Sequence, residues 1–245
     1  DVFVLDNDAE IFVWIGRQAS AAERRAGLAR GTAYLEQAHR PPHTRVTKLV
    51  EGAETATFKA NFGSWSKDAA PTAFAVGGAL GGRASWAAAA GGAPPTSPRK
   101  RESAELVAEM SETTASGARQ RDAQLAFARQ LVASAQHART RVWRVEAFRE
   151  VEVPRTHHGH FHAGDSYIVH HTYLDDSRTR HVLYFWLGHQ SSQDERAAAA
   201  LLTTAMDSEG ALGATQVRVI QGKEPPHFVA LFPAGLVVHA GGTAS

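Results

Sequence analysis

The chain has 245 residues, 26 Lys and Arg against 25 Asp and Glu, and 43% apolar residues. That length holds two domains of ordinary size. The even charge excludes a global basic field for nucleic acid, and no apolar run approaches the roughly 18 residues of a membrane span. The absence of cysteine excludes disulfides and thiolate zinc sites; it fits a cytosolic protein without requiring one. No leader is visible, although the chain starts abruptly inside a strand at Asp1.

In chain order, Asp1 to Leu5 and Glu10 to Ile15 predict a hairpin around the turn Asp6-Asn7-Asp8. Ser20 caps a helix to about Gln37, with Ala22, Ala26, Ala29, Ala33 and Leu35 as its apolar side. Arg45 to Val50 alternates as a strand does. Glu54 to Trp65 predicts a short helix with Phe58, Phe62 and Trp65 on one face. From Ser66 to about Ala138 the sequence is largely Gly, Ala, Pro and Ser, which predicts a flexible linker; Ala123 to Ser134 is apolar enough to form a helix or to dock. Within the linker, Pro98-Arg99-Lys100-Arg101 is a short basic run. It is better explained by solvation than by a phosphoinositide or nucleic-acid contact.

Strands are expected at Arg141 to Phe148, Ser166 to Tyr173, His181 to Leu187, Gln216 to Ile220 and Leu236 to His239. A long helix opens at Ser192, where Glu195 completes a capping box, and runs to about Asp207; a short one lies at Pro225 to Leu231. Along the long helix, Ala197, Leu201, Leu202, Ala205 and Met206 form an apolar stripe.

The two ends of the chain repeat each other. FVWIGRQASAAER at 12–24 matches YFWLGHQSSQDER at 184–196. Glu51-Gly52-Ala53-Glu54 with Phe58 matches Gln221-Gly222-Lys223-Glu224 with Phe228, and Asp1-Val2-Phe3-Val4 matches Asp165-Ser166-Tyr167-Ile168. Anchors in one order at near-constant offset mark a duplicated domain. The first copy lacks the strands that precede this point in the second, which implies a fragment cut inside its first domain. The expected domains are 1–66, a linker over 67–140, and 141–245.

These residues carry a resemblance. Val142-Trp143-Arg144-Val145-Glu146, the run Gly159-x-Phe161-x-x-Gly164-Asp165-Ser166-Tyr167-Ile168-Val169, then Tyr184-Phe185-Trp186 with Ser192-Gln193-Asp194-Glu195, and Gln221 to Phe228 together resemble a gelsolin/villin repeat. The likeness covers essentially all of 141–243. The second copy looks most like the fourth repeat of a six-repeat protein, and the first copy like the third. The resemblance implies an α+β sandwich: in each of two gelsolin-like domains, a mixed central sheet between a long and a short helix. It also implies a cytoplasmic, cytoskeletal protein that severs, caps or bundles actin filaments under calcium control, with the long helix docked in a cleft of actin.

Calcium takes hard oxygen ligands. The family's site maps onto the carbonyl of Gly164, Asp165, Glu195 and the carbonyl of Thr243. Read from the residues alone, Glu195 is a capping residue and Asp165 a turn residue, and the two roles compete for one carboxylate. In the first copy Asp1 and Glu23 match, without the preceding carbonyl. Asp207 matches a second calcium position at the actin contact, although the Gly expected about five residues on is Leu212. Candidate partner contacts on the long helix are Ser192, Arg196, Ala199, Thr203 and Met206.

Eight histidines, His157, His158, His160, His162, His170, His171, His181 and His189, crowd one part of the second copy. They invite a zinc-enzyme reading, but no H-E-x-x-H is present, and a solvated histidine-rich loop is preferred. No nucleophile–base pair or phosphate loop is visible, so no catalysis is expected. A gelsolin-fold interaction module that uses no actin is the rival reading.

Overall fold

The structure, a computed structural model, describes residues 1–62, 65, 103–133 (backbone alone before 117) and 138–243. The greater part of the expected linker, with its basic run, lies outside the described residues.

In the first copy, β1 (Val2–Asp6) and β2 (Glu10–Ile15) pair antiparallel, Val4 opposite Val13. The Asn7 side chain closes the turn by accepting the backbone N–H groups of Ala9 and Glu10. α1 (Ala21–Gln37) starts at the expected capping box of Ser20 and Glu23. β3 (Arg45–Val50) runs parallel to β2. α2 (Ala56–Lys59) is shorter than expected, but Phe58 still meets Phe62 and Trp65, each at 5.1 Å between ring centroids.

α1 does not bury its alanines. Ala22, Ala29 and Ala33 are exposed, while Gly27, Leu28, Gly31 and Leu35 face the sheet. A Cβ on Gly31 would lie 2.6 Å from Val46 Cγ1 and 2.7 Å from Val13 Cγ2. The two glycines, one turn apart, let the helix backbone approach β2 and β3 more closely than alanine would allow. Apolar periodicity cannot register a residue with no side chain.

In the second copy, β4 (Arg139–Glu146) and β5 (Arg149–Glu152) form one edge. β7 (Ser166–Asp175) pairs antiparallel with β4 and with β8 (Arg178–Leu187). α4 (Gln193–Glu209) crosses over to β9 (Thr215–Ile220), parallel to β8. α5 (Pro226–Val229) follows. β6 (His160–His162) and β10 (Val237–His239) form a separate parallel ribbon.

The two copies share one sheet. Its order is β1-β2-β3-β9-β8-β7-β4-β5, joined where β3 meets β9 antiparallel, Thr47 opposite Val217 and Lys48 opposite Gln216. On one face α1 and α4 cover Val13, Val46, Ile168 and Phe185. On the other, α2, α5 and α3 (Ser103–Ala133) cover a second layer that includes Tyr167, Tyr184, Trp186 and Phe228. The apolar patch expected at 123–134 does dock: Ala123, Phe127, Ala128 and Leu131 are buried. The helix nevertheless begins at Ser103, twenty residues earlier. Its extra turns are rich in Ala, Glu, Leu, Met, Gln and Arg, all good helix formers hidden within a low-complexity composition.

Gly31→Ala is expected to destabilise the fold by about 1–2 kcal/mol, because overpacking against Val13 and Val46 exceeds the gain in helix propensity. Gly117→Ala in α3, where an added Cβ meets nothing within 4 Å, is expected to stabilise it by about 0.5–1 kcal/mol. Urea unfolding of both variants checks the contrast.

Candidate functional site

The duplication extends to individual hydrogen bonds. Trp14 Nε1 donates to Glu54 Oε1 at 3.0 Å, and Trp186 Nε1 to Glu224 Oε1 at 2.9 Å. The N–H of Arg17 donates to Glu51, and that of His189 to Gln221. Arg24 and Arg196 each tie the helix start back to the loop before it: Arg24 to the carbonyls of Ala19 and Arg17, Arg196 to Ser191 Oγ and the carbonyls of Gly188 and His189. Strand end, helix start and the short-helix loop are thus bolted into one junction in each copy.

In the second copy this junction gathers three loops. Gly164 N–H donates to Gly241 carbonyl oxygen at 2.7 Å, and a Cβ on Gly164 would lie 2.8 Å from Gly242 N. Only glycine permits that approach. Asp165 Oδ2 accepts from the N–H of Thr243 at 3.2 Å, from the Thr243 hydroxyl and from the Tyr167 hydroxyl. Gly188 N–H donates to Asp165 carbonyl oxygen, and Gln190 N–H to that of Ala163. Gly164, Asp165 and Thr243 therefore meet directly, and the loop leading into α4 packs on them.

Glu195, half-buried in the first turn of α4, makes the capping box. Its Oε2 accepts from Ser192 N–H at 2.8 Å and from the Ser192 hydroxyl at 2.9 Å. Both bonds use one oxygen, which leaves Oε1 outside the cap. The competition foreseen between capping and metal binding is thereby lessened. Glu23 caps α1 in the same way, and the Ser20 backbone N–H and hydroxyl hold its carboxyl below the usual range. Asp1 carbonyl oxygen accepts from Gly16 N–H, as Asp165 carbonyl oxygen does from Gly188 N–H. Two carboxylates and two carbonyls suit a hard cation. Among the described residues, no group of three or more His, Asp or Glu is spaced to hold a metal by side chains alone.

Asp207 is buried and fully engaged. It accepts from Lys48 Nζ at 2.8 Å, Gln216 Nε2 at 2.6 Å and Ala214 N–H at 2.8 Å. Lys48 and Gln216 escaped sequence reasoning. The available signal was Lys48 alternating with Val46 and Val50, a charge in line with inward-facing residues. On the opposite face of this seam, buried Glu10 pairs with Arg45 at 3.1 Å, and accepts from Thr47 and from Gln124 of α3.

The partner face of α4 needs correcting. Ala199 and Thr203 are buried against the sheet, and Thr203 hydroxyl donates to Ala199 carbonyl oxygen. Ser192 is exposed; Arg196 and Met206 are half-buried, Arg196 tied to the preceding loop and Met206 packed on the core. The open side passes instead through Ala197 and Leu201, the latter 71% exposed although it belonged to the expected stripe. Leu201, Thr204 and Ala205 line a groove of about 470 Å³ with Leu28, Ala29 and Thr32 of α1.

Several of the histidines fall into close pairs or core positions, while His157 and His189 are exposed. His170 Nε2 lies 3.0 Å from His181 Nδ1, and His160 Nδ1 3.0 Å from His239 Nε2. Burial, reinforced by His181, pushes His170 down to about 4. Burial also lowers His171 and fully buried His227, which lies 2.8 Å from the Tyr184 hydroxyl.

Fold and junction together define a duplicated α+β repeat protein. The sequence profile of the gelsolin repeat matches residues 1–59 and 147–229. The chain is 32% identical to gelsolin of Gallus gallus and 34% to the cytoplasmic gelsolin of Homarus americanus, over its full length in both cases. It spans 29% and 30% of those relatives. Among solved structures, the Thorarchaeota 2DGel3/rabbit actin complex is 26% identical, covers 42% of this chain and 47% of its own, and gives a TM-score of 0.34. The chain belongs to the gelsolin repeat family. Among the described residues no helix is long and apolar enough to cross a membrane.

Lys48→Met is expected to destabilise the fold by about 3 kcal/mol, since it leaves Asp207 buried beside a non-cation. It should also speed amide exchange at the β3–β9 seam, read by mass spectrometry. A pH dependence follows from the depressed histidines. They are neutral in the fold and take a proton near pH 6.5 when unfolded, so their contribution is complete above that pH. It falls as pH drops toward about 4 for His170, at up to ~1.4 kcal/mol per pH unit per group. Urea unfolding between pH 7.5 and 5 measures the slope, and His170→Gln should flatten it.

Proposed function

We propose that this chain is a calcium-regulated, actin-binding part of a gelsolin-type protein. The observation that carries the reading is the second-copy junction, where Asp165 meets Thr243 beside Gly164, and Glu195 keeps one carboxylate oxygen outside its cap, in a chain that belongs to the gelsolin repeat family. Membership of the gelsolin repeat family supports the partner, since the resemblance to that family implies actin binding.

The carbonyl of Gly164, the carboxylates of Asp165 and Glu195, and the carbonyl of Thr243 are the ligand set of this reading. A calcium ion there supplies a cross-link between the end of the sheet and the start of α4. The chain's own residues do the rest. Gly188 and Gly164 hold the loops at backbone contact, Arg196 fixes the helix start, and the Asp165–Thr243 bonds keep the tail in reach. Asp1 and Glu23 form the corresponding, partial set in the first copy. Asp207 is the second calcium position of the reading, and it becomes free only when Lys48 leaves. Leu201 and its neighbours along the α1–α4 groove present the partner surface, and Ser192 and Arg196 lie at the start of the same helix. Severing, capping or bundling then follows from binding energy without catalysis, in a cytoplasmic, cytoskeletal setting.

The test is sedimentation of the chain with monomeric actin, with calcium and with chelator. Calcium-dependent binding is expected. It should fall at least tenfold in Asp165→Ala/Glu195→Ala, and fall without loss of calcium binding in Leu201→Asp. Binding that ignores calcium overturns the regulation. No binding under either condition favours an interaction module with another partner.

A further inference from the structure

The calcium reading leaves the histidines of the small ribbon unused. β6 and β10 run parallel, with His160 opposite Val237 and His239 opposite His162. Buried Phe161 anchors β6 to the core, while His160 and His239 are exposed. Their ring centroids lie 5.3 Å apart with the planes inclined by 14°, and His160 Nδ1 faces His239 Nε2 at 3.0 Å, so the two rings meet edge to edge. His162 also lies against His239, 4.9 Å between ring centroids, but its Nδ1 is committed to the Tyr167 hydroxyl.

The geometry points to a binding site for a divalent transition-metal ion of the imidazole-preferring group, chelated by His160 Nδ1 and His239 Nε2, which staples β6 to β10. Two nitrogens each about 2.0–2.1 Å from zinc lie ~2.9 Å apart at a right angle and ~3.3 Å apart at the tetrahedral angle. The observed spacing lies within that window. Turning each exposed ring by roughly 45° brings the two lone pairs to one point at zinc–nitrogen distance, and the ring protons then sit on His160 Nε2 and His239 Nδ1. Imidazole suits zinc, copper and nickel far better than it suits calcium. A single N–H···N bond between exposed rings gains little in water. Rings already placed side by side by strand register lose little freedom on chelating an ion. Water completes the coordination, because among the described residues no third His, Asp or Glu is grouped with the pair.

The position gives the site a consequence. β6 leads directly into Ala163-Gly164-Asp165, and β10 into Gly241-Gly242-Thr243. A staple between the strands orders both loops of the candidate calcium set. On the calcium reading proposed above, zinc therefore raises calcium affinity, by about fivefold or more.

The experiment titrates the full chain by calorimetry with zinc chloride alone, calcium-free, then with calcium chloride in the presence and absence of zinc, and records the copper(II) spin-resonance spectrum. Wild type should bind one equivalent, with nitrogen hyperfine structure from two imidazoles. His160→Gln/His239→Gln should weaken binding at least tenfold with circular dichroism unchanged, and His157→Gln/His158→Gln should leave it as it is. Equal affinity in wild type and the first variant, or equal loss in both variants, overturns the site. Zinc binding with calcium affinity unmoved overturns the coupling. Zinc binding in a chain that takes no calcium sustains the staple and overturns the calcium reading instead.

Discussion

The arrangement of the two repeats depends on one buried ion pair, Lys48 with Asp207, at the seam where β3 meets β9. Two unit charges 2.8 Å apart attract by about 6 kcal/mol at an effective dielectric of ~20. Desolvation costs several kcal/mol for each ion. The two terms nearly cancel, so the pair adds little net stability. What it supplies is register. Lys48 is satisfied only when Gln216 lies opposite and Asp207 lies above. A slip of one residue would swap the faces of every side chain on the strand and strand a charge in the core. On the other face, Glu10 with Arg45, Thr47 and Gln124 imposes the same demand and draws α3 across the joint. Apolar packing holds the repeats together, and these polar groups decide where.

Duplication explains why the rest of the molecule is economical. Each repeat uses one construction: a Trp on the strand before the helix, bonded to a Glu beyond the next strand, and a Ser–Glu cap that an Arg ties back to the preceding loop. The construction orients a helix on a sheet with few residues. It leaves the helix faces free to diverge: α1 packs glycines on the sheet, and α4 packs alanines.

Much of this was legible because it is local. Ser20 with Glu23 and Ser192 with Glu195 lie three residues apart, and both capping boxes form. The turn at Asp6-Asn7-Asp8 and the short helix after Pro225 follow from residue chemistry at neighbouring positions. The junction at Gly164, Asp165 and Thr243 was legible only through the family resemblance, since about 80 residues separate its parts. Three things were not legible. The seam joins strands about 170 residues apart, and nothing in an alternating strand names its neighbour. The buried side of α1 is marked by glycines, which carry no hydrophobic signal. α4 is so rich in Ala that its faces contrast weakly, which is why Ala199 and Thr203 look available and Leu201 looks internal.

Glu195, Asp165 and Asp207, carboxylates of the calcium reading, are already employed, at different depths. Glu195 serves a helix cap, an interaction of about 1 kcal/mol that uses one of its two oxygens. Asp165 accepts three hydrogen bonds at a partly open surface, each of the charge-assisted kind and individually modest. Asp207 sits in a buried pair whose rupture costs about 3–5 kcal/mol. Ion entry is therefore an exchange of partners, and the exchange becomes costlier along the helix from its first turn to its last. On the proposed reading the junction fills first and with little rearrangement. Asp207 becomes available only after Lys48 withdraws, which requires the β3–β9 seam to open. The same residue would then govern both the shape of the pair of repeats and the last site to load, so that separation of the repeats and engagement of α4 with a partner are one event seen from its two ends.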